Sequence, residues 1–406
     1  MSVRLLKSPA ALTILMVAFA SYSKSILSAA EGERDVSNGV VVRPITRVHP
    51  VLGADDKVHL VYELEIVNHG SMLVSMDHVE ALGRGGERFA EFADDVLARR
   101  TVVSGGEKGR LFGPSHSGYI YLDFVIPASS ALPATIRHRI AMTSQPPAEA
   151  GAGHNAAADL PTHLKGQSAT FLGAEVMVDS TPAIVVSAPL RGPDWLVANG
   201  CCDVFYPHRT ALAINGTLNI PEKFAIDFVQ LDQDHRLFSG PIDKLSSYAY
   251  YGIPVYSATD GTVVEVEDGA PEQVPGRAVP QGMTPTAVGG NHVFVDLGNG
   301  RYALYAHFQP GSIRVKAGDR VRRGDILARL GNSGNTTNPH LHFQVGDRPS
   351  FLMSEALPFV IDDFTSTGAV TGLDVLIEGK PATLDRTAAG RHLRQLPLEY
   401  SVVSFR

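Results

Sequence analysis

Alternation of apolar and polar residues dominates much of the chain. Four runs in the first part alternate in this way and are rich in β-branched or aromatic residues: 58–67, 71–82, 118–126 and 135–143. Because Gly, Asn and Pro separate these runs, the pattern predicts antiparallel strands, and we expect an immunoglobulin-like β-sandwich over residues 45–145. The six histidines of this region share no ligand spacing, so we expect them to be structural or exposed.

A second all-β region follows a change in composition. Residues 146–165 are rich in Ala, Gly and Pro with almost no large apolar side chains, which is typical of a linker. After a connecting β segment at 166–202, residues 203–363 again have the pattern of strands, with dense turn signals and no long amphipathic helix. The C-terminal extension, 364–406, has the strand-like pieces LDVLIE and YSVVSF, which we expect to pack back on one of the two domains.

The first thirty residues have the three parts of a secretory signal. A basic start with Arg4 and Lys7 precedes the apolar run AALTILMVAFA and the small residues Ser28-Ala29-Ala30. The apolar run is shorter than the roughly 20 residues that a membrane-spanning helix needs. We therefore expect residues 1–30 to be a cleaved signal peptide, with an uncleaved anchor as the alternative. The mature protein is then secreted to the periplasm or the exterior, without stable membrane insertion.

Charge and cysteine content narrow the classes of partner. The chain has 35 basic and 42 acidic residues and a formal net charge of −7. It therefore lacks the basic field that gathers nucleic acid or an anionic membrane surface, and neither is an expected partner. The only two cysteines, Cys201 and Cys202, are adjacent and cannot form the disulfide network of a small secreted scaffold. We expect either two partly buried thiols or a vicinal disulfide without catalytic work.

The strongest chemical signal is the segment NPHLHFQV, which contains two histidines two residues apart. On a strand, His340 and His342 point to one face while Leu341 and Phe343 point to the other. The two imidazoles then converge on one spot, where they can serve as a metal ligand and a proton acceptor. By itself an H-x-H pair is equally compatible with two core or surface histidines, so its surroundings in the sequence decide.

Around this motif the sequence resembles the lysostaphin/LytM family of zinc peptidases, over about residues 225–347. The matching pieces occur in the family's order: FAIDF, GIPVYSATDGTVVEVEDG, GGNHVFVDLGNGRYALYAHF and SIRVKAGDRVRRGDILARLGNSGNTTNPHLHFQV. The resemblance implies a β-barrel peptidase domain whose groove holds one Zn²⁺ through two His and one Asp. It also implies a metalloendopeptidase whose substrate is the peptide part of bacterial peptidoglycan.

The resemblance assigns roles to individual residues of this chain. Asp227 corresponds to the carboxylate ligand and His342 to one imidazole ligand, while His340 and His307 correspond to catalytic histidines beside the attacking water. Three protein ligands leave the fourth tetrahedral position open, which is typical of a catalytic zinc. His340 is the better candidate for the general base and His307 for orienting water or stabilising the oxyanion, although the sequence does not fix which does what.

One ligand position departs from the family. The family's first His ligand lies four residues before the Asp, and Lys223 occupies that position here. A protonated ammonium has no lone pair to offer a metal. If Asn215-Gly216 forms a two-residue hairpin turn, His208 lies directly across from position 223 and shares a face with Asp227. We therefore predict that His208 supplies the missing imidazole, unless the nearby prolines introduce a bulge that turns it away.

Two other functions stay open at the level of sequence. A degenerate relative that binds no metal and instead binds the wall or regulates another wall hydrolase is supported by Lys223 alone, and the presence of the other site residues argues against it. A carrier module is suggested by VKAGDRVRRGDIL, which resembles lipoyl or biotinyl hairpins, but the lysine-bearing attachment turn is absent. We expect a secreted zinc metalloendopeptidase, whose N-terminal domain blocks the groove, recognises substrate or contacts an envelope protein.

Overall fold

Strands dominate the computed structural model, which confirms the all-β prediction. The structure describes residues 36, 38–104, 107–147, 167–202, 207–279, 283–284 and 286–406. The predicted signal peptide lies outside the described residues, and so does the predicted linker apart from its first two residues. Over the described part of the chain, no helix is long and apolar enough to cross a membrane.

The chain divides into two compact units. The described part of unit 1 falls within the segments that end at Arg43, Glu65–Gly118 and Ile136–Glu175. Unit 2 comprises Pro44–Leu64, Tyr119–Thr135 and Val176–Arg406. The short segment Pro44–Leu64 therefore belongs to the same unit as every predicted site residue, although it lies far from them in the sequence.

The first part of the chain forms two sheets. Its elements are β1 (Val40–Pro44), β2 (Val51–Leu52), β3 (Lys57–Asn68), β4 (Leu73–Leu82), β5 (Arg88–Ala93), α1 (Asp94–Arg100), β6 (Thr101–Val103), β7 (Glu107–Lys108), β8 (Leu111–Phe112), β9 (Ser117–Pro127), β10 (Thr135–Gln145) and β11 (Gln167–Met177). One sheet has the order β1-β3-β9-β6-β7, with β2 on β3, and the other has the order β11-β10-β4-β5, with β8 on β4. The four predicted strands correspond to β3, β4, β9 and β10, and the immunoglobulin-like arrangement stays a prediction.

Helix α1 is an element that the strand pattern of this region did not predict. Asp94 and Asp95 lie in its first turn and Arg99 and Arg100 in its last turn, so both ends complement the helix dipole. Leu97 is its only buried residue. A helix this short has too few apolar positions to give a periodic signal, because charge at its ends rather than an apolar face marks it.

Unit 2 is built on one large sheet. The strands of unit 2 from residue 184 onward, not all of which belong to this sheet, are β12 (Ile184–Val186), β13 (Gly192–Asn199), β14 (Leu212–Ile214), β15 (Thr217–Asn219), β16 (Ile226–Gln230), β17 (Pro254–Tyr256), β18 (Gly261–Glu267), β19 (Asn291–Gly298), β20 (Arg301–Phe308), β21 (Arg320–Val321), β22 (Ile326–Arg329), β23 (Leu341–Gly346), β24 (Phe359–Thr371), β25 (Thr383–Asp385), β26 (Gly390–Gln395) and β27 (Ser401–Phe405). The twelve-stranded sheet has the order β12-β24-β27-β13-β16-β23-β20-β19-β18-β21, with β25 and β26 on β24. Strands β16, β23 and β20 are therefore neighbours near its middle.

The middle of this sheet has one apolar and one polar face. Leu341, Phe343 and Val345 of β23 are buried in the main hydrophobic core of unit 2, together with Ile226 and Phe228 of β16. The residues between them point the other way because side chains alternate along a strand. The core thus fixes the strands from one side and leaves the opposite face for polar side chains.

Two local predictions have opposite outcomes. The Asn215-Gly216 turn is confirmed, because Ile214 pairs with Thr217. Both turn residues have positive φ, 50° and 76°, as a two-residue hairpin turn of type I′ requires. The strand predicted for LDVLIE is wrong, because Asp374–Ile377 form the short helix α2. Its apolar residues are consecutive rather than alternating, so they fit a turn with Leu376 buried better than a two-faced strand.

The C-terminal extension is an integral part of unit 2. Strand β27 pairs with β13 on one side and with β24 on the other. The expectation that YSVVSF forms a strand packed back on one part of the protein is confirmed. Shortly after the end of β13, Cys201 and Cys202 form a vicinal disulfide, which is one of the two states expected from the sequence.

Candidate metal centre

Asp227 and His342 lie directly opposite each other on the neighbouring strands β16 and β23. Opposed residues share a face of the sheet, so both side chains project from the polar face. The His342 Nδ1 atom lies 2.8 Å from Asp227 Oδ1, and both side chains are buried. Asn199 of β13 donates a 2.7 Å hydrogen bond to the other carboxylate oxygen, Oδ2. The strand pairing alone therefore brings one imidazole and one carboxylate together.

His208 reaches this pair by a route that the sequence did not predict. The β14–β15 ladder ends at the Leu212–Asn219 pair, so His208 does not lie across a ladder from position 223. It lies instead in a 3₁₀ turn, Pro207–Arg209, because a proline cannot donate to a strand ladder. Even so, His208 Nε2 lies 3.2 Å from Asp227 Oδ2.

Lys223 points away from this cluster into a buried network. Its Nζ atom donates to Glu63 Oε2 at 3.0 Å and to Thr46 Oγ1 at 2.7 Å. Arg209, the residue after His208, forms an ion pair of 2.9 Å with the other oxygen of Glu63. Glu63 and the Lys223 side chain have 0% exposure, and Arg209 has 2%. The buried carboxylate of Glu63 therefore binds two cations. Lys223 lies four residues before Asp227, and Arg209 directly follows His208.

Charge compensation explains how this network tolerates burial. Burial acts to raise the pKa of Glu63, but the charges of Lys223 and Arg209 outweigh it and lower this pKa below its ordinary value. Arg209 also forms a 3.3 Å ion pair with Asp123, so two cations face two carboxylates. A buried charge is costly unless it is paired and hydrogen-bonded, and every charge here is paired.

His307 and His340 complete one side of the cluster. His340 Nε2 lies 3.5 Å from Asp227 Oδ1, and the rings of His307 and His340 are 4.5 Å apart at their centroids. His307 lies at a β-bulge between β19 and β20 and has a φ of 67°, a left-handed conformation that is uncommon for histidine. A β-bulge changes the direction of a side chain, and here the imidazole of His307 points toward the candidate metal ligands.

The two candidate imidazole ligands each have one ring nitrogen bound to an acceptor. His342 Nε2 lies 2.8 Å from Gln344 Oε1, and His208 Nδ1 lies 3.4 Å from the carbonyl oxygen of Ala225. A proton on each of these nitrogens leaves the other nitrogen, His342 Nδ1 or His208 Nε2, with a lone pair directed at Asp227. Such hydrogen bonds are the usual way in which a protein fixes the tautomer of a metal-ligating histidine.

The same arrangement holds for the other two histidines. His307 Nδ1 donates to the carbonyl oxygen of Ser333 at 2.7 Å, and His340 Nδ1 donates to that of Asn338 at 2.8 Å. The Nε2 atom of each ring is thereby left as the acceptor. Burial lowers the pKa of both histidines, that of His307 well below its ordinary value, so both are neutral at pH 7. Each can accept a proton from a group placed between them.

The charged pair at the centre behaves differently. Burial would lower the pKa of His208, but the charge of Asp227 raises it to about 9. Burial would raise the pKa of Asp227, but the charges of His208 and His340 hold it well below its ordinary value. The Asp227 carboxylate is therefore negatively charged, and a cation placed between these side chains would compensate that charge.

The donor atoms fit a zinc ion. One ligand atom from each of His208, Asp227 and His342 lies within 4.8 Å of the others, and two imidazoles with one carboxylate are a typical catalytic zinc set. His307 and His340 form a second such group with His342. These two overlapping groups place all five residues predicted from the sequence at one position in unit 2.

A third group in the described part of the chain fits a metal less well. His78, Glu80 and Glu91 of unit 1 bring their donor atoms within the same distance of one another. Glu80, however, forms ion pairs with both Arg88 and Arg139, so its two oxygens are already compensated. The group therefore has the composition of a surface ion-pair network.

A cavity of about 230 Å³ lies over the candidate metal ligands. Its lining includes two residues that sequence reasoning missed, Glu222 and Phe351. Phe351 stacks on His342 at 5.0 Å, and Glu222 Oε1 lies 3.9 Å from His342 Nε2. Burial raises the pKa of Glu222. The sequence marks Glu222 only as the acidic neighbour of Lys223, and nothing local marks Phe351.

Known proteins match the region that carries three of these histidines. Residues 245–350 match Peptidase family M23, which confirms the resemblance predicted from the sequence motifs. The peptidoglycan DD-endopeptidase ShyA of Vibrio cholerae is 34% identical over 109 residues, 26% of this chain and 21% of the relative. The DD-carboxypeptidase/endopeptidase Mpg of Neisseria meningitidis is 34% identical over 100 residues, 23% and 22%. The chain thus spans about a fifth of the length of the curated relatives it matches.

A solved structure also matches part of the chain. The catalytic domain of the antimicrobial peptidase lysostaphin from Staphylococcus simulans has 23% sequence identity, and the match covers 40% of this chain and 88% of that chain. The TM-score is 0.22. His307, His340 and His342 lie inside the matched family region, whereas His208, Lys223 and Asp227 precede it.

Proposed function

We propose that this protein is a zinc metalloendopeptidase that hydrolyses peptide bonds of bacterial peptidoglycan. The observation that carries the proposal is the convergence of His208, Asp227 and His342 on one point, with two neutral histidines beside them. The relatives matched over the family region support the substrate, because their names describe peptidoglycan DD-endopeptidase and DD-carboxypeptidase/endopeptidase activities.

In this proposal His208 Nε2, an oxygen of Asp227 and His342 Nδ1 hold the zinc ion. A bound zinc ion lowers the pKa of a coordinated water toward about 7 and polarises the scissile carbonyl. Gln344 and the Ala225 carbonyl keep the two imidazoles in the tautomer that offers a lone pair. Asn199 orients the carboxylate through Oδ2. Three protein ligands leave room for solvent and substrate.

His340 is our candidate for the general base and His307 for orienting the attacking water or stabilising the oxyanion. Both rings have their Nδ1 proton held by a backbone carbonyl and their Nε2 free to accept or return a proton. His340 Nε2 lies 3.5 Å from Oδ1 of the candidate ligand Asp227. This favours His340 for the first proton transfer.

The envelope location and the domain roles are further parts of the proposal. We propose that residues 1–30 direct export and that the protein acts outside the cytoplasm, where peptidoglycan lies. We assign the peptidase domain to 203–363, extended by 364–406, and the sandwich to 45–145. The sandwich domain is then the candidate for substrate recognition, groove blocking or contact with an envelope protein.

Metal analysis joined to a digestion assay tests the proposal. The purified mature protein should contain one equivalent of zinc, and a chelator should remove the zinc and peptidoglycan cleavage together. Readdition of zinc should restore both. A preparation that binds no metal and releases no peptides from peptidoglycan after zinc is added would support the degenerate, regulatory alternative instead. A His235→Ala variant serves as the control, because His235 lies in a turn of unit 2 outside the cluster.

A further inference from the structure

A second cavity shares part of its lining with the cavity over the candidate metal ligands. It has a volume of about 270 Å³ and is lined in part by Asn199, Asp227, Thr337 and His340, which also line the first cavity. Asp227 and His340 are a candidate ligand and the candidate general base. A peptide bound with its scissile carbonyl at the metal therefore has both cavities within reach.

The two cavities differ in chemistry. Besides the shared residues, the first has a mixed lining: polar residues that include His208, His307, His342 and Glu222, and the apolar residues Val279, Val288 and Phe351. The second is lined by apolar side chains, which include Leu196 of β13 and Val229 of β16. Asp227 is the only charged carboxylate in its lining. An apolar wall beside a catalytic centre favours an apolar group of the ligand, because burial removes apolar surface from water.

Helix α2 forms one side of the apolar cavity. Leu373, Leu376 and Ile377 from this part of the C-terminal extension line it. Leu376 is buried at 4% exposure and anchors the helix, whereas Ile377 is 63% exposed. An isoleucine that lines a cavity and is also largely exposed leaves apolar surface for a ligand to cover. This helix lies outside residues 245–350, the region matched to the peptidase family.

We propose that this apolar cavity is a substrate subsite that receives the apolar side chain of a peptide residue next to the cleaved bond. The inference rests on the proposed function and adds its specificity. Asp227 and His340 themselves line the cavity, so a residue adjoining a carbonyl bound there, about 3.3–3.6 Å further along the peptide, can reach it. Helix α2 thereby selects for substrate side chains, and Ile377 is the residue that makes the contact.

A peptide series tests the subsite through selectivity. Synthetic peptides of the sequence cleaved in peptidoglycan are varied to Ala, Leu, Ser or Glu at the residue on either side of the cleaved bond. On one side, the full chain should prefer Ala and Leu to Ser and Glu. Ile377→Ser should lower kcat/KM for the Leu peptide by about 10-fold and leave that for the Ser peptide nearly unchanged, as expected for loss of a hydrophobic subsite contact.

Leu393→Ser is the matched control for this variant. Leu393 is a similarly exposed apolar residue of unit 2, at 57%, and does not line the cavity. It should leave the preference unaltered, and zinc content should be the same in both variants. Equal loss for the Leu and Ser peptides in Ile377→Ser, or the same change in the control, overturns the subsite.

A binding measurement keeps the subsite testable even if no peptide is cleaved. N-acetyl-leucinamide and N-acetyl-serinamide are titrated into methyl-labelled full chain while the NMR signal of the Ile377 methyl groups is followed. Shifts with the leucine probe alone support the subsite, and no shift, or equal shifts with both probes, overturns it. If zinc binds but no peptide or peptidoglycan is cleaved, the proposed function fails, whereas the methyl shifts judge the cavity independently.

Discussion

The two halves of the candidate metal centre are built in different ways. His307, His340 and His342 lie within the matched family region, and we call them the matched half. His342 lies on β23, His340 directly precedes that strand, and a bulge at the end of β20 turns His307 toward them. His208 and Asp227 precede that region, and His208 comes from an irregular turn rather than a strand. Both halves nevertheless converge on one set of donor atoms. The comparison teaches that a regular strand and an irregular turn can supply donor atoms to the same site.

The other half of the centre, which contains His208 and Asp227, is called the irregular half. It depends on packing that the matched half does not need. Its position 223 holds a lysine, and burial of that lysine requires the carboxylate of Glu63. The same carboxylate binds Arg209, whose neighbour in sequence is His208. One carboxylate therefore links Lys223 to the segment that carries the candidate ligand His208. This gives the two halves different sensitivities to mutation.

The largest expected effect is loss of the metal from either half. His208→Ala and His342→Ala should each reduce bound zinc from one equivalent to nearly none and lower peptidoglycan cleavage by at least about 1,000-fold, since each removes a ligand from a set of three. Zinc analysis after dialysis and release of soluble peptides measure the two effects.

His235→Ala, as the control, should retain zinc and cleavage. If His208→Ala keeps a full equivalent of zinc while His342→Ala loses it, the irregular half supplies no ligand, and the comparison between the halves is wrong at its main point.

The next effect separates a catalytic histidine from a ligand within the matched half. His340→Ala should keep zinc but lower kcat by about 10²- to 10⁴-fold, because it removes the proposed proton acceptor and leaves the donor set intact. Zinc content and steady-state rates on one peptide substrate measure this separation. An unchanged kcat would show that His340 has no part in proton transfer.

The matched half of the centre could be predicted from the sequence, and the reasons are local. Two-residue periodicity predicts that His340 and His342 share a face, and the resemblance of the YAHF segment to the family identifies His307. The FAIDF segment identifies Asp227 in the same way, although Asp227 belongs to the other half. The other half could be predicted only in part. The Asn215-Gly216 turn has a local signal and formed as expected, but the ladder ended before it reached His208.

Residues supplied from distant segments could not be predicted. Glu63 lies 160 positions before Lys223, and no local pattern links the two. Asn199 reaches Asp227 only because β13 pairs with β16. Helix α2 of the C-terminal extension, which lines the apolar cavity, could not be predicted either, because its three consecutive apolar residues carry no clear period.

A smaller effect should follow from opening the buried network. Glu63→Gln leaves Lys223 and Arg209 without their shared charge, so the segment that holds His208 should be less well fixed. Residues that orient metal ligands typically contribute about 10- to 100-fold to metal affinity, and we expect a weakening of zinc binding in that range. Competition with a zinc chelator measures it, and the Co²⁺-substituted protein should show an altered visible spectrum.

Glu80→Gln is the control for a general loss of stability. Glu80 also lies between two arginines, Arg88 and Arg139, but it belongs to unit 1, whereas the candidate metal ligands belong to unit 2. It should lower the unfolding temperature without weakening zinc binding. Equal zinc affinities in the Glu63 and Glu80 variants would show that the buried network acts on stability alone.

The smallest expected effect is a pH dependence that belongs to the same network. The charges of Lys223 and Arg209 overcome burial and hold the pKa of Glu63 below 4.5, its ordinary value. The unfolded chain therefore binds this proton at a higher pH than the folded chain, so the contribution of Glu63 is fully present above about pH 4.5 and is lost as the pH falls further. In metal-free protein, the unfolding free energy of the wild type should decrease more steeply below pH 4.5 than that of Glu63→Gln. Parallel curves for the two proteins would mean that the carboxylate is not ionised against its two cations, and the irregular half would lose the charge on which its arrangement depends.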